Sequence, residues 1–550
     1  MRHLSVVFLS FVLFSELLFC QIFEAGKRAH DSYRLWIYFD KRDPNNLINL
    51  DNAAIKRRKK HNIYIPTKYD YHINESYIKK VKKLGVVIKN KSRWLNAISV
   101  IANREQIKKI QKLSFVIDVQ PVMLYKKSKN IKTSNSNELN RDFDYGSSLT
   151  QINNINCRTA HNAGYYGQGV RVLYIDTGFN LSHSAFDSIN VIAQYDFINS
   201  DLNTANETTQ EFNDSQDDHG TTCLSVIAGF AEGNLIGSAF KSEYLLAKTE
   251  IVAEEIQQEE DNYVAALEWG ESLGADIACA SLGYYDWYDY NNLDGNTATT
   301  TIAVDIASSL GVLCVNSAGN SGNDSWYYII TPADADSVLS VGAVSSNGSI
   351  ASFSSHGPTS DGRVKPEVCA MGVNVYCVRS DTQNNYRTSS GTSFSAPLVG
   401  GAAAVILSAN SDWTNMKVRE ALMMTASQNN NPDNSYGYGI IDTWAAINFQ
   451  FLAKTYSEKI VPTSITVSKA YPNPFNPLVS LFIESNIDKY FITSAIYDIN
   501  GKFVESIFDG ILGSEKMNLK WDASSYPAGV YIIHTNWIDG SHFQKITLLK

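Results

Sequence analysis

The middle of the chain, residues 146–450, alternates short apolar runs with stretches of helical periodicity. Short apolar runs bounded by polar or glycine-containing turns predict buried strands. We assign such strands to residues 170–175, 244–247, 277–282 and 312–317, and helices to residues 396–407 and 415–425. Strands that alternate with helices are typical of a parallel sheet covered by helices. We therefore predict an α/β domain with a mainly parallel sheet and a functional site at the sheet's carboxyl edge.

The segments on either side have other patterns. Residues 33–125 combine two alternating strands with a helix over residues 104–113, which predicts a small α+β domain. Residues 126–145 are rich in Lys, Ser, Asn and Thr, which predicts an exposed linker. A second linker over residues 451–470 leads to residues 471–550, whose short alternating strands predict a small antiparallel β-sandwich. The supporting turn signals are Asn500-Gly501, Asp509-Gly510 and Asp539-Gly540.

The first twenty residues have the pattern of an export signal. A weakly basic start is followed by an apolar run from Leu4 to Phe19 with three polar interruptions. That run is too short and too interrupted for a stable membrane span, and no later segment qualifies. We expect a soluble product that is secreted or held at the cell surface. Lipid attachment at Cys20 is an alternative, against which the bulky Phe19 argues.

Charge is unevenly distributed along the chain. Residues 21–140 carry 26 Lys and Arg against 10 Asp and Glu, whereas residues 141–450 carry 11 against 36. Two oppositely charged parts of one chain are expected to attract each other. The basic part could instead bind nucleic acid. It follows an export signal and contains no nucleic-acid-binding module, so we predict no nucleic-acid partner.

Six cysteines lie in the middle domain, in largely apolar surroundings. Buried thiols are the simpler interpretation, although an exported protein also permits disulfides whose pairing the sequence does not give. No Cys/His spacing is typical of zinc, and His-Glu-x-x-His is absent. We therefore assign no metal ligands.

Three motifs offer an acid, a base and a nucleophile in that order along the chain. Asp176 ends the strand at residues 170–175, His219 lies in an Asp-His-Gly-Thr motif, and Ser393 follows Gly-Thr ahead of a helix. A serine hydroxyl needs a base to take its proton, and the base needs a carboxylate to orient it and stabilise its charged form. Alone, each motif has an ordinary explanation as a turn aspartate, a surface or capping histidine, or a capping serine.

Asn320 follows the strand at residues 312–317, at the same predicted sheet edge. Its amide could donate a hydrogen bond to the oxyanion of a tetrahedral intermediate, beside the backbone N–H of Ser393. The alternative is an Asn-rich turn. Four such residues in one order, each at a strand end or a helix start, predict acyl-transfer chemistry.

With these motifs in place, residues 146–450 resemble the subtilisin-like serine peptidases of the subtilase family. Further matching pieces are Ala280-Ser281-Leu282-Gly283, Phe353-Ser354-Ser355-His356-Gly357-Pro358 and Lys365-Pro366-Glu367-Val368. The resemblance implies a seven-stranded, largely parallel sheet, a triad of Asp176, His219 and Ser393, and Asn320 at the oxyanion. It also implies substrate binding by Ser281, Leu282, Gly283, Ser317, Ala318 and Gly319.

Two departures from the family pattern are visible. Phe394-Ser395-Ala396 follows the nucleophile where Met-Ala-Ser or Met-Ala-Thr is more usual. Residues 229–237 look shortened where many members bind a structural calcium. We therefore expect that no cofactor is required, and a structural calcium is left open.

The flanking segments carry resemblances of their own. Residues 21–125 resemble inhibitor-type subtilase propeptides, through Ser92-Arg93-Trp94-Leu95-Asn96-Ala97 and the terminal strand. This implies an intramolecular inhibitor that is removed by cleavage within residues 126–140. Residues 471–550 resemble the C-terminal sorting domain of type IX secretion, through Tyr-Pro-Asn-Pro-Phe-Asn-Pro at residues 471–477. This implies recognition by the secretion machinery; a carbohydrate- or cell-binding module is the alternative.

A set of acidic residues near the predicted substrate groove allows one hypothesis on specificity. Its members are Glu254, Glu255, Glu259, Glu260 and Asp261. They could favour basic residues upstream of the scissile bond. The alternative is a solvated acidic start of a helix.

The sequence as a whole predicts a secreted, monomeric serine endopeptidase that acts on proteins or peptides. It is built as signal (1–20), propeptide (21–125), linker (126–145), catalytic domain (146–450), linker (451–470) and sorting domain (471–550). The alternative is a catalytically inactive binding or adhesion protein on the same scaffold.

Overall fold

The computed structural model describes residues 27–29, 32–63, 65–121, 143–253, 256, 258–285, 287–451, 465–485, 490–499, 503–512, 516–537 and 540–550. The predicted signal and most of the first linker lie outside the described residues. The chain divides into two compact units, residues 1–450 and 451–550.

The N-terminal part of the first unit is a small α+β domain, as predicted. Its elements are β1 (Lys27–Ala29), β2 (Ser32–Phe39), β3 (Arg42–Leu47), α1 (Asn52–Lys60), a 3₁₀ turn (Lys68–Asp70), β4 (Tyr71–Ile73), α2 (Glu75–Lys82), β5 (Val87–Ser92), β6 (Ala97–Ala102), α3 (Arg104–Ile110) and β7 (Val116–Pro121). Strands β1, β2, β6 and β5 lie side by side in that order, and β7 pairs with β2. Leu35, Ile37 and Phe39 alternate on the inner face of β2, in one core with apolar residues of α2 and α3.

The remainder of the first unit is the middle domain. Its strands are β8 (Arg171–Asp176), β9 (Asn190–Asp196), β10 (Phe230–Ala231), β11 (Leu235–Ile236), β12 (Glu243–Lys248), β13 (Ile277–Ala280), β14 (Leu313–Ser317), β15 (Leu339–Val344), β16 (Val368–Met371), β17 (Val375–Val378) and β18 (Tyr386–Ser389). Its helices are α4 (Leu149–Asn154), α5 (Cys157–Asn162), α6 (Thr209–Asp214), α7 (Asp218–Ala228), α8 (Gln258–Ser272), α9 (Thr299–Ser309), α10 (Thr392–Ala409), α11 (Asn415–Met424) and α12 (Thr443–Ile447), with 3₁₀ turns at Gly146–Ser148, Ser184–Phe186 and Tyr290–Asn292.

Seven strands of the middle domain form one sheet in the order β16-β15-β14-β13-β8-β12-β9. Every neighbouring pair in it is parallel, which confirms the predicted fold class. The four strands assigned from sequence are β8, β12, β13 and β14. Because parallel strands run in one direction, their carboxyl ends meet at one edge, where polar side chains can converge.

Helix α10 begins at Thr392, four residues before the position predicted from sequence. Its length and hydropathy would suffice to cross a membrane, whereas we expected no segment after the export signal to qualify. However, 89% of this 18-residue stretch is buried inside the domain. It packs against β13, β14, β15 and α7, so it is a core helix of the middle domain.

The second unit contains two antiparallel sheets around a shared core, which confirms the predicted β-sandwich. Its strands are β19 (Ile465–Val467), β20 (Leu478–Ser485), β21 (Tyr490–Asp498), β22 (Phe503–Leu512), β23 (Met517–Asp522), β24 (Gly529–Trp537) and β25 (Gly540–Leu548). Strand β19 lies within the predicted second linker and pairs with β20. The turn predicted at Asp509-Gly510 is wrong, because both residues lie inside β22 and pair with β21.

The N-terminal domain docks on helix α8 through buried ion pairs. Glu268 of α8 accepts hydrogen bonds from the Ser92 hydroxyl and from the backbone N–H groups of Arg93 and Trp94. One turn further on, Glu271 is bound by the guanidinium groups of Arg57 and Arg58 on α1. The side chains of Glu271 and Arg58 are fully buried. The opposite net charges of the two sequence segments thus meet in specific pairs.

We predict that Glu271→Ala destabilises the uncleaved chain by about 3–5 kcal/mol, since it leaves buried guanidinium charges without their acid. The matched control is Glu75→Ala, which breaks a half-exposed pair with Lys91 and should cost less than about 1 kcal/mol. Urea-induced unfolding of the uncleaved full-length variants measures both. Equal losses in the two variants would contradict the prediction.

Candidate active site

Asp176 is the last residue of β8, the strand that lies between β13 and β12. Its side chain is fully buried, and Oδ1 accepts the backbone N–H of Thr177 at 2.8 Å. Among the described residues, Oδ2 has no hydrogen-bond partner. The apolar strand therefore ends on a carboxylate that is held in place at the carboxyl edge of the sheet.

His219 is the second residue of α7, and its Nδ1 lies 2.6 Å from Asp176 Oδ1. This contact depends on a close approach of the helix start to the end of β8. A β-carbon built on Gly220 would lie 2.3 Å from the Gly178 carbonyl oxygen and 3.0 Å from Cβ of Asp176. Glycine at position 220 therefore lets the helix come near enough for the imidazole to reach the carboxylate.

The protonation of His219 follows from its partner. A carboxylate only accepts hydrogen bonds, so Nδ1 carries a proton in both charge states, and Nε2 presents a lone pair only when the ring is neutral. Partial burial lowers the pKa of the imidazole, but the charge of Asp176 outweighs it and holds the pKa well above the usual value. Nε2 lies 3.7 Å from Cys223 Sγ, one helical turn further on. Burial raises the pKa of this thiol to about 11, so it is neutral.

Ser393 is the second residue of α10 and is joined to Ser281 by two reciprocal hydrogen bonds. The Ser393 hydroxyl donates to the Ser281 carbonyl at 3.2 Å, and the Ser281 hydroxyl donates to the Ser393 carbonyl at 2.8 Å. The second bond is available because Pro397, four residues on, has no N–H to donate to that carbonyl. Proline inside the helix therefore ties the serine to the segment after β13.

The described residues show no hydrogen bond between Ser393 and His219, because the serine hydroxyl faces Ser281 instead. The two motifs are nevertheless adjacent. The rings of His219 and Phe394, the residue after the serine, have centroids 6.5 Å apart. The imidazole side chain is 31% exposed, so the site has an open side. The structure thus contains the acid–base hydrogen bond but not its link to the hydroxyl.

Asn320 lies on the exposed side of the same edge, after β14. Its Oδ1 accepts the Thr392 backbone N–H at 2.9 Å and the Thr392 hydroxyl at 3.0 Å. The amide orientation is therefore fixed, and Nδ2 donates to no described residue. Nδ2 and the backbone N of Ser393 lie 3.6 and 3.7 Å from one point, the position of a β-carbon built on Gly391. Two donors thus surround a common space.

The six residues assigned to substrate binding form two segments beside the serine. The segment Ser281–Gly283 directly follows β13. The segment Ser317–Gly319 consists of the last residue of β14 and the two residues after it. Asn316 Nδ2 donates to the Leu282 carbonyl at 2.8 Å, which joins the two segments. The Gly319 N–H donates to the Thr392 hydroxyl at 3.3 Å, next to the serine. The structure therefore brings these residues together around Ser393.

The carboxylate of Asp218 is bound by Arg387 and Ser380, which the sequence did not indicate. One Arg387 nitrogen donates to both Asp218 oxygens, at 2.9 and 2.8 Å, and the Ser380 hydroxyl binds the same carboxylate. Burial raises the pKa of Asp218, but these partners outweigh it and lower the pKa. No local pattern indicated the pair, because the two residues are 169 positions apart in the chain.

The acidic set near the start of α8 does not form a solvated face in the described residues. Glu259 accepts the backbone N–H groups of Ile251 and Ile256, and Glu260 accepts bonds from Trp287 and Tyr288. Asp261 pairs with Arg34 of the N-terminal domain at 2.6 Å. All three are buried. Glu254 and Glu255 lie outside the described residues, so they add no structural support for a preference for basic substrates.

Models of three known protein families match three successive parts of the chain. A model of the subtilase family matches residues 167–439, a model of the Bacteroidota peptidase S8 propeptide domain matches residues 34–140, and a model of the secretion system C-terminal sorting domain matches residues 469–548. Subtilisin BL of Lederbergia lenta is 31% identical over 296 residues, which cover 54% of this chain and 97% of that protein. Subtilisin E of Bacillus subtilis (strain 168) is 29% identical over 369 residues, which cover 66% and 84%.

Fold and comparisons together define a subtilisin-like serine endopeptidase that is secreted or held at the cell surface. The chain belongs to the subtilase family. It carries a peptidase S8 propeptide domain before the catalytic domain and a type IX secretion sorting domain after it.

The segment where calcium was left open does not fit that ion. Strands β10 and β11 pair as a tight hairpin, and the carbonyls of Gly229 and Ala231 accept hydrogen bonds from Gly237 and Asn234. Its one carboxylate, Glu232, accepts the Asp144 N–H at 3.3 Å. Ca²⁺ takes six to eight oxygen ligands. The described residues of this hairpin do not offer such a set.

Two other groups of described residues bring metal-ligand atoms within 4.8 Å of one another. One consists of Asp176, His219 and Cys223, whose imidazole already binds the carboxylate. The other consists of Asp196, Asp201 and Glu207, beside a buried cation: Lys248 Nζ lies 2.9 Å from Asp196 and also binds Glu211. An ammonium thus already neutralises the buried carboxylate of this second group.

We predict that the imidazole of His219 stays protonated above pH 6.5, the usual histidine value. A raised folded-state pKa means that the ion pair stabilises the fold fully below about pH 6.5 and that this stabilisation is lost as pH rises through the folded pKa. Nitrogen-15 NMR titration of histidine-labelled protein measures it. Asp176→Asn should lower this pKa, because it removes the negative charge that opposes the effect of burial most strongly. His161, whose pKa burial lowers to about 4, is the internal control and should stay neutral. A His219 pKa at or below 6.5 would contradict the prediction.

Proposed function

We propose that Ser393 is the nucleophile of this endopeptidase, His219 its general base and acid, and Asp176 the group that orients His219. Asn320 Nδ2 and the Ser393 backbone N–H stabilise the oxyanion. The observation that carries the proposal is the 2.6 Å bond from His219 to Asp176, at the edge where two unengaged donors surround one space beside Ser393.

The reaction begins when the Ser393 hydroxyl leaves the Ser281 carbonyl and turns toward His219 Nε2. Its oxygen attacks the peptide carbonyl carbon while Nε2 takes the proton. The tetrahedral oxyanion faces Asn320 and the Ser393 N–H. As the intermediate collapses, the carbon–nitrogen bond breaks and the imidazolium gives its proton to the leaving amine. Water then attacks the acyl-enzyme with the same base, which releases the acid product and restores Ser393.

The other parts of the chain support this activity in the proposal. Substrate proteins or peptides lie along Ser281–Gly283 and Ser317–Gly319. Residues 21–125 inhibit the enzyme intramolecularly until they are removed by cleavage within residues 126–140, and residues 471–550 are read by the secretion machinery. The enzyme acts as a monomer, and neither chemical step draws on a cofactor.

An inactive binding or adhesion protein on this scaffold remains the second candidate function. It is favoured by one observation, the orientation of the Ser393 hydroxyl toward Ser281. Reactivity of that hydroxyl separates the two candidates, since only an activated serine reacts rapidly with a fluorophosphonate.

We expect a fluorophosphonate probe to label the wild-type chain and Ser395→Ala, but not Ser393→Ala. Ser395 is the matched control because it lies two residues on in the same helix, is fully buried, and has a hydroxyl without a partner among the described residues. Intact-mass spectrometry and cleavage of a protein substrate measure labelling and activity. Labelling retained in Ser393→Ala would exclude the assigned nucleophile, and no labelling of the wild type would favour the inactive scaffold.

Asn320→Ala should lower kcat with little change in KM, because the lost donor acts on charge that develops only in the transition state. In a subtilisin, loss of the comparable donor lowers kcat about 10²–10³-fold, and we expect a similar loss here. Asn323→Ala, an exposed asparagine in the same turn, is the matched control and should keep wild-type kcat. Equal kinetics for the two variants would rule out the oxyanion role.

A further inference from the structure

The side chain of Ile330 lies between two glycines of the substrate-binding segments. A β-carbon built on Gly283 would lie 2.6 Å from both Cδ1 and Cγ1 of Ile330. A β-carbon built on Gly319 would lie 3.1 Å from its Cγ1 and 3.2 Å from its Cγ2. One isoleucine therefore presses against the backbone of both segments and takes up the room that the two glycines leave. It is 9% exposed, so it is a wall and not a mobile surface side chain.

Backbone hydrogen bonds to one segment and to the residue that follows the other fix Ile330 in this position. Its backbone N–H donates to the Ala318 carbonyl at 3.1 Å. The next residue, Thr331, exchanges two backbone bonds with Tyr284, at 3.0 and 2.8 Å. Because the chain is held on both sides, the side chain cannot withdraw without breaking main-chain bonds that lie directly beside the glycines.

The space that Ile330 occupies lies next to the reacting bond. Ser281 is bonded to Ser393 in both directions, and Gly319 is bonded to Thr392, the residue before the nucleophile. Gly283 is partly exposed, and within the described residues its backbone N–H and C=O make no hydrogen bond. An extended substrate can pair with that free edge. With its carbonyl at Ser393, the side chain of the acyl residue then points between the two segments.

We propose that Ile330 sets the substrate class of this endopeptidase, by restricting the residue that supplies the scissile carbonyl to a small side chain such as Gly, Ala or Ser. The proposal rests on the assignment of Ser393 as nucleophile. Packed interiors do not yield a cavity for extra atoms without strain. An aromatic or long aliphatic side chain therefore meets Ile330 before the carbonyl carbon reaches the nucleophile, whereas a methyl or hydroxymethyl group does not.

The test uses mature enzyme, which is purified after the full-length chain has been expressed and processed. It compares peptide p-nitroanilides that differ only in the residue before the scissile bond. We expect kcat/KM for Ala to exceed that for Phe by at least about 100-fold, given discrimination of about 10–200-fold per methylene. Ile330→Gly removes the wall and should raise kcat/KM for Phe by about 10–100-fold. Comparable wild-type rates for Phe and Ala would overturn the proposal.

A milder pair of variants keeps the test decisive if Ile330→Gly fails to fold. Ile330→Val and Ile329→Val each remove one methylene, but Ile329 is packed in a separate cluster with Leu293, Ala318 and Ala333. Ile330→Val should raise kcat/KM for a 2-aminobutyrate substrate, one methylene longer than Ala, by about 10-fold. Ile329→Val should leave the ratio of the two substrates unchanged. Equal ratios in both variants would overturn the proposal.

A fluorophosphonate that carries no amino-acid-like side chain tests the reactivity of Ser393 separately from the role of Ile330. If the probe labels Ser393 in wild type and in both valine variants, the assignment of Ser393 as nucleophile is supported. The ratios between substrates then test the role of Ile330 alone. If the probe does not label Ser393, the proposed function fails first. Because the readout is a ratio between substrates, a loss of folded protein does not imitate the expected result.

Discussion

The site depends on one short hydrogen bond, between the imidazole of His219 and the buried carboxylate of Asp176. It requires a strand that ends on an acid, a helix that starts on the neighbouring base, and a glycine that lets the two approach. The buried carboxylate fixes the proton on Nδ1 and leaves Nε2 as the only basic nitrogen of the ring. The parallel sheet supplies this geometry because the carboxyl ends of its strands share one edge.

The second constraint is the start of helix α10. Pro397 frees the carbonyl of Ser393, and Ser281 uses that carbonyl and the hydroxyl together. Helix α10 and the segment after β13 are thereby joined at Ser393. The same tie engages the serine hydroxyl with Ser281, and among the described residues no hydrogen bond joins it to His219. Structures without substrate often show such loose catalytic hydrogen bonds.

Much of this was predictable where local pattern and tertiary structure agree. Apolar runs that end in a polar residue identified β8 and β14, and with them Asp176 and Asn320. Contacts between distant residues, such as Arg387 with Asp218 or Ile330 with Gly283, have no local signature. Asp509-Gly510 shows the opposite case, because pairing with β21 overrides the turn preference of the dipeptide. The start of α10 was misplaced because Thr392 and Ser393 resemble caps more than helix residues.

A crystal structure of the chain with a peptide phosphonate covalently attached to Ser393 tests the central claim most directly. The geometry predicts phosphorus bonded to the Ser393 oxygen, and one phosphonyl oxygen within hydrogen-bond distance of both Asn320 Nδ2 and the Ser393 N–H. His219 should then remain on Asp176 through Nδ1 and direct Nε2 toward the bound group. A phosphonyl oxygen that faces away from Asn320, or an imidazole that has left Asp176, would contradict the account.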